Sequence, residues 1–598
     1  MLPIINFQND WLSAYFVFII ILIFIPVAIY TKGYIMEYKK HYSVNYMLLL
    51  IALFVASMIG VVVSNNAISF LVFWEIMSIS SFFLVIYEYM HKENLKAGIF
   101  YFVMTHISGL FLMIMFSFLY KYSGSFDFSE IIKVSANFSS KQKSIIFILA
   151  LFGFGAKMGI VPLHAWLPKA HPTAPSNVSA LMSGVMLKVA LYGFIRVIFI
   201  FLKVTPLNCG VTVLVIGTIT AIFSILNALL QNNIKKLLAY SSAENVGLIF
   251  AALGMSMILI NYNLKVLASL ALTAALLHCL NHAIFKSLLF LNAGSVLYAT
   301  GTKNMNELGG LHQEMKFTAI CTFIATCAIS SVPPFNGFAS EILILRSFIE
   351  AITKVSNIWI IILIFCCGVI IAITSGAAFY ATAKSFGITF LGKPRTKKAE
   401  HIKSIPMSMN IGQGVLAVLA IVTGIFSPFI ISKISYFTNG LFAINSKGPG
   451  FKNETEIIVF TLILISITFI VYMFNKINSS NKKQEINDTW ACGYTSDEPY
   501  IQYTGSGFVQ PAAKIFGPIS NYNKKVSYKQ NIHISQTTSD VVEDYFYKTS
   551  LKAVNYVTTK ILKINYGKIQ LHILYIFISV IIALVLVLKF VGACRIQK

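Results

Sequence analysis

The sequence predicts an all-α, polytopic membrane protein of about fourteen transmembrane helices, arranged as two inverted five-helix repeats with one broken helix each. Three observations predict it. Of 598 residues, 57% are hydrophobic and 11% charged, and the mean hydropathy is +0.76; a soluble chain carries roughly 25% charged residues. Apolar runs long enough to cross a bilayer recur along the chain. Two of them are interrupted by glycine and proline close to an ionisable residue, and broken helices at membrane depth are tolerated only where they line a cavity or pack inside protein.

Taken in order, the first run covers 12–30. Five follow at 45–64, 66–89, 97–120, 144–168 and 176–203. Five more lie at 210–231, 237–260, 264–299, 317–350 and 357–391, of which 264–299 is long enough to be kinked. The last three are 407–437, 456–475 and 570–593. In each group of five the fourth run is broken, by Gly159 and Pro162 near Lys157, and by Pro333 to Gly337 near Glu341. A repeat unit with an odd number of spans inverts when duplicated. Two unrelated proline kinks are the plainer alternative. The organisation expected is an N-terminal span and basic loop (1–44), a first repeat (45–203), a second repeat (204–391), two further spans (392–476), a polar segment (477–569) and a last span (570–598). Within the polar segment, 539–563 has apolar residues at helical spacing, as in a helix lying on a membrane surface or as in an ordinary cap.

The formal net charge of +24 resides largely in loops. Lys32 to His41, His91 to Lys96, Lys169 to His171, Lys235-Lys236, Lys303 to Lys316, Lys393 to Lys403 and Lys476 to Lys483 fall on one side when spans alternate. Positive loops mark the cytoplasmic face of the cell's inner membrane, which leaves both termini outside. The basicity therefore serves orientation in a lipid bilayer, and nucleic acid is not an expected partner. None of the eight cysteines forms a C-x-x-C pair, and no Walker-type loop occurs. No redox cofactor, metal or nucleotide site is expected, so any electron chemistry belongs to another chain. Met1 to Asp10 has no basic region of the kind that opens a cleaved signal peptide.

The chemistry lies in ionisable residues within apolar runs. An ammonium at mid-bilayer costs ~2.5–3.5 kcal/mol on insertion scales and persists where it faces protein or a wet path. Lys157 precedes the first break, and Lys188 sits inside the next run. Glu75, in Phe-Trp74-Glu75-Ile, is the natural partner of Lys157, because a buried carboxylate either neutralises or pairs. His278, His282 and Lys286 recur every four residues and so share one helical stripe. Histidine passes protons through either ring nitrogen near neutral pH. A lone buried histidine is usually a satisfied core residue; three ionisable groups on one stripe are much less often so. The His pair has no evident third metal ligand. Glu341 follows the second break and is expected to stand where Lys157 stands in the first half. Glu244, Lys384 and His164 are less specific: a helix-end charge, a snorkelling lysine and a loop residue are the bland readings. The path expected is Glu75, Lys157, Lys188, His278/His282, Lys286, Glu341.

These residues resemble the antiporter-like subunits of respiratory complex I and its relatives. The likeness rests on Trp74-Glu75, on Lys157 with Pro162-Leu-His-Ala-Trp-Leu-Pro168, on Asn233-Ile-Lys-Lys-Leu-Leu-Ala-Tyr-Ser241, and on His282-Ala-Ile-Phe-Lys286. It covers nearly the whole chain. Ser242-Ala-Glu244-Asn245, Lys393-Pro-Arg395, Trp490-Ala-Cys-Gly-Tyr494 and Gln502-Tyr-Thr are similar to the hydrogenase-4 and formate hydrogenlyase branch. The resemblance implies that Glu75, Lys157 and Lys188 form a first half-channel, His278, His282 and Lys286 a central axis, and Glu341 the exit. It implies a subunit that moves protons or sodium ions without redox chemistry of its own. Its implied partners are further membrane subunits and a nickel–iron hydrogenase module. A subunit of a multisubunit cation/proton antiporter is the alternative, and an idle structural anchor a third. Members commonly carry two more helices before the span that begins here near Trp11, so packing at that edge is expected to differ.

Overall fold

The computed structural model describes residues 10–444, 454–480, 502–528 and 532–564. The expected span 570–593 and the Trp490-to-Tyr494 motif lie outside the described residues. Two compact units are distinguished, Met1–Thr538 and Ser539–Lys598.

The first unit is built around one helix, Lys265–Thr300. Its 36 residues run unbroken, about 54 Å at 1.5 Å per residue. All of its most apolar stretch is buried. A helix apolar on every side must be enclosed on every side. Here the enclosing helices include Trp11–Tyr34, Ile234–Asn261, Asn336–Lys354 and Met407–Ile425. Tyrosines of the first helix bind the axis: Tyr15 donates to the Leu276 carbonyl at 2.8 Å and Tyr30 to that of Leu291 at 2.9 Å. The run 264–299, long enough to be kinked, forms one continuous helix with no proline inside it.

Ten described helices are long and apolar enough to span a bilayer. Five of them start at side-chain caps that take up otherwise unpaired amides. Asp10, Ser43, Asn66, Asn233 and Asn357 each accept from a first-turn N–H. Leu207–Leu229 and Ile234–Asn261 pack with backbones nearly touching. A Cβ on Gly217 would lie 2.4 Å from the Ala251 amide nitrogen, so only glycine fits.

Both breaks stand where expected. Helix Ser140–Met158 ends at Gly159, whose φ of +77° suits a residue without Cβ. A short helix, Leu167–Thr173, follows the turn. The freed backbone is rebonded: Trp166 Nε1 donates to the Ala156 carbonyl at 2.8 Å, and Val161 N to Thr220 Oγ1 at 3.0 Å. The second break separates Lys316–Ile329 from Asn336–Lys354. There Asn281, on the axis, donates to the Asn336 carbonyl at 2.7 Å. Lys157 lies in the helix before its break and Glu341 in the helix after its own.

The structure adds detail at three further places. The run 407–437 is two helices, Met407–Ile425 and Ser427–Leu441, parted at Phe426. Pro428 cannot donate an N–H to a continuing helix. Among the described residues the fold is helical apart from one antiparallel strand pair in the polar segment, Asn523–Tyr528 against Ile532–Thr537. Arg196, which the sequence reading passed over, is buried and pairs with Asp10 at 2.7 Å, tying the first helix to the end of Ser176–Phe201. Arg196→Ala is expected to destabilise the purified chain by about 2 kcal/mol in detergent melts, less than a fully buried pair because Asp10 is part-solvated.

The basic connections meet at one end. Lys403 pairs with Glu37 at 2.9 Å, Arg395 donates to the Leu308 carbonyl, and Gln502 exchanges hydrogen bonds with Lys393. Residues from Gln502 to Phe516 thus cap this end of the first unit. In the second unit, Lys548–Ile564 is helical, as the spacing predicts.

Candidate functional site

Each sequence-predicted residue can now be placed. Lys157 is fully buried at the end of its helix. Its ammonium donates to Ser78 Oγ at 2.8 Å and lies over the rings of Trp74 (5.7 Å) and Tyr101 (5.5 Å). Aromatic faces attract a desolvated cation. Glu75, one turn from Ser78, is within electrostatic reach of Lys157 but makes no direct contact with it. The expected pair is therefore corrected: the Glu75 carboxylate faces His106, Oε2 to Nε2 at 3.4 Å. His106 Nδ1 donates to the Phe102 carbonyl at 2.9 Å, which turns Nε2 toward Glu75. The geometry depends on Gly109, where a Cβ would stand 2.2 Å from Glu75 Oε1. His106 carried no signal in the sequence beyond a lone histidine in an apolar run.

Lys188 follows a π-helical turn, Met182–Met186. Such widened turns recur at functional sites. Its ammonium donates to the Ser183 carbonyl at 2.6 Å. Ser183 Oγ meets Ser242 Oγ at 2.7 Å, and Ser242 donates to the Leu238 carbonyl at 2.7 Å. Lys286 donates to that same carbonyl at 3.4 Å and to Ser241 Oγ. Lys188 and Lys286 are thus connected through Ser183 of the π-helical turn and through Ser242 and the Leu238 carbonyl of Ile234–Asn261, a link absent from the expected path.

His278 is held on both nitrogens, by Ser340 Oγ at 2.9 Å and Asn245 Oδ1 at 3.1 Å. The rings of His278 and His282 are stacked at 6.4 Å. His282 is fully buried, and neither of its nitrogens has a hydrogen-bond partner among the described residues. Buried polar atoms are rarely left so in apolar packing. His282 is within electrostatic reach of Lys188, Lys286 and His278.

Glu244 is not at a helix end; it is fully buried within Ile234–Asn261. Asn245 donates to its Oε2, and it is within electrostatic reach of both Lys286 and Glu341. Glu341 accepts from Ser375 Oγ at 2.7 Å and adjoins Ser340, the partner of His278. Lys384 does not snorkel: it is buried and donates to the carbonyls of Leu229 and Gln231, each at 2.6 Å. Leu229 is the last residue of Leu207–Leu229 and Gln231 lies just beyond it, a helix C-terminus where a cation is favoured. His164 is buried against Phe223 and Tyr240 at the first break instead of sitting in an open loop. Among the described residues no cluster of three metal-ligating side chains occurs.

Charged and hydroxyl groups thus run from Glu75 on one flank to Glu341 on the other, through the core of a membrane-sized bundle.

Residues 64–372 match the family described as NADH:quinone oxidoreductase/Mrp antiporter, TM. Hydrogenase-4 component B of Escherichia coli (strain K12) is 33% identical over 97% of this chain and 88% of its own length. Formate hydrogenlyase subunit 3 of the same strain is 31% identical over 83% of this chain and 79% of its own. Among solved structures, a chain of the archaeal membrane-bound sulfane sulfur reductase, a respiratory membrane complex, superposes with a TM-score of 0.75 at 23% identity, covering 97% of this chain and 89% of that one.

Proposed function

The chain belongs to the NADH:quinone oxidoreductase/Mrp antiporter family, and on that premise we propose that its buried row carries protons across the membrane as one subunit of a hydrogen-evolving complex. Its likeness to hydrogenase-4 component B and formate hydrogenlyase subunit 3 supports the assignment to such a complex. Other membrane subunits are its neighbours there, and a nickel–iron hydrogenase module is the proposed source of redox energy. The membrane is the cell's inner membrane, with the basic end in the cytoplasm.

One observation carries the transport reading: Lys188 and Lys286 are linked through Ser183, Ser242 and Leu238 in a fully buried zone. An idle anchor has no use for two lysines there, each costing desolvation energy. We place Glu75, Lys157 and Lys188 in the entering half, His278, His282 and Lys286 at the axis, and Glu244 with Glu341 at the exit. Two inverted repeats accommodate these halves, each around one broken helix.

A cation/proton antiporter subunit is the second reading, favoured by the other half of the family's description. Co-purification separates the two: a nickel–iron hydrogenase subunit retained with this chain supports the first. In inverted vesicles, Lys157→Ala is expected to cut proton uptake about tenfold or more, within the range of losing a proton-transfer group, with the complex still assembled. Wild-type uptake by that variant removes the entering half.

A further inference from the structure

We propose that the cavity between the start of Lys316–Ile329 and the start of Met407–Ile425 holds the headgroup of a zwitterionic phospholipid with a primary amine, of the phosphatidylethanolamine class. The cavity shares no residue with the buried row and stands whether or not that row carries protons.

The two helices are neighbours, and both begin at the basic end of the first unit. The cavity between their first turns has a volume of about 350 Å³ and is walled by Glu314, Lys316, Thr318, Lys403, Ser404 and Asn410. Small-ligand sites run from ~300 to 1,000 Å³. Neither helix start carries a side-chain cap. The first amides of both are therefore left to water or to an anion, and the helix dipoles favour the anion.

The charges on the wall call for a ligand that carries both signs. Lys316 and Glu314 stand two residues apart, and neither side chain has a hydrogen-bond or ion-pair partner among the described residues. Lys403, by contrast, is already held by Glu37 at 2.9 Å and lies over the Tyr298 ring. Asn410 Oδ1 is buried and has no hydrogen-bond partner among the described residues. One wall thus offers an unpaired cation and two sets of helix amides, and beside them an unpaired carboxylate and an unused carbonyl acceptor. A lone phosphate would meet the donors but be repelled by Glu314. A phosphodiester that also bears a primary ammonium satisfies both sets. Phosphatidylcholine has no N–H to give Glu314 or Asn410, and phosphatidylglycerol has no cation for Glu314.

The rest of the lipid has a place as well. Phe317, Ile320 and Phe323 on one helix and Met407, Ile411 and Val418 on the other are exposed. Their helical spacing makes each set a strip that starts beside the cavity and runs into the bilayer. Apolar side chains exposed on spanning helices face acyl chains. A lipid whose headgroup fills the cavity therefore has its tails against these strips, which a soluble phosphate ester lacks.

The test uses the purified full chain with its partners, stripped of lipid in nonionic detergent. It is titrated with phosphatidylethanolamine, phosphatidylglycerol or phosphatidylcholine, and native mass spectrometry counts the lipid retained. The wild-type chain is expected to retain one phosphatidylethanolamine at concentrations about tenfold below those the other two need, the ratio one charge-assisted hydrogen bond supplies. Glu314→Gln is expected to erase that preference and leave phosphatidylglycerol binding intact. Lys316→Gln is expected to weaken both lipids about tenfold. Both side chains are exposed, so neither change is expected to lower the melting temperature. If a variant does not accumulate, the wild-type ranking of the three lipids still decides. Equal retention of all three, tighter retention of phosphatidylglycerol, or a preference unchanged in Glu314→Gln overturns the site. Displacement of the lipid by inorganic phosphate or soluble phosphoethanolamine at matching concentration overturns it too, because the tails would then contribute nothing.

Discussion

Lys286→Met is expected to abolish proton uptake in vesicles, by roughly a hundredfold or more, while the chain still assembles with its partners. Lys286 touches both sides of the site. Its ammonium bonds Ser241 and the Leu238 carbonyl, which lead to Ser242, Ser183 and Lys188. On the other side it is the cation within reach of Glu244. Methionine keeps the length and apolar stem of the side chain, so packing in the axis helix is nearly preserved. What is lost is the charge and the proton. Without that cation, Glu244 and Glu341 face each other alone, and two nearby carboxyls do not both ionise readily. Transport at the wild-type rate would falsify the central place given to Lys286.

Much of this was readable before any coordinates. Lysines and histidines inside apolar runs announce themselves, because hydropathy makes each an exception. Lys157, Lys188, His278, His282 and Lys286 all proved to be buried in the core. The two breaks were equally legible, since glycine and proline leave backbone groups that a bilayer cannot satisfy. Contacts were less so. The sequence offers Glu75 only one conspicuous cation, Lys157, but the helix register brings His106 across Gly109 instead. Lys235 was misread because Gln231-Asn-Asn-Ile-Lys-Lys has the composition of a loop. Only the tertiary fold reveals that one of two adjacent lysines turns inward. Arg196 could have been noticed, being a charge inside the run 176–203, and Pro428 could have divided 407–437. The join through Ser183 and Ser242 had no such signal. Serines are common in buried helices, and their pairing depends on two helices meeting at a particular turn.

Glu244→Gln is expected to depress uptake nearly as far as loss of Lys286, about a hundredfold, with little change in thermal stability. From sequence, Glu244 is a less specific candidate, with a helix-end charge as the alternative. The structure places it in the middle of Ile234–Asn261, fully buried and within electrostatic reach of both Lys286 and Glu341. No other described carboxylate is within reach of both. A proton leaving Lys286 for Glu341 therefore has Glu244 as its intermediate acceptor, and Asn245, which bonds both Glu244 and His278, holds that acceptor in place. Glutamine has the same shape and can keep a hydrogen bond to Asn245, so the substitution removes protonic exchange without opening a cavity. The discriminating comparison is with Glu341→Gln. If Glu244 is the intermediate and Glu341 the exit, both variants stop uptake. If Glu244→Gln transports normally while Glu341→Gln does not, protons pass through His278 and Ser340 instead, the other chain of contacts that reaches the same end of the row.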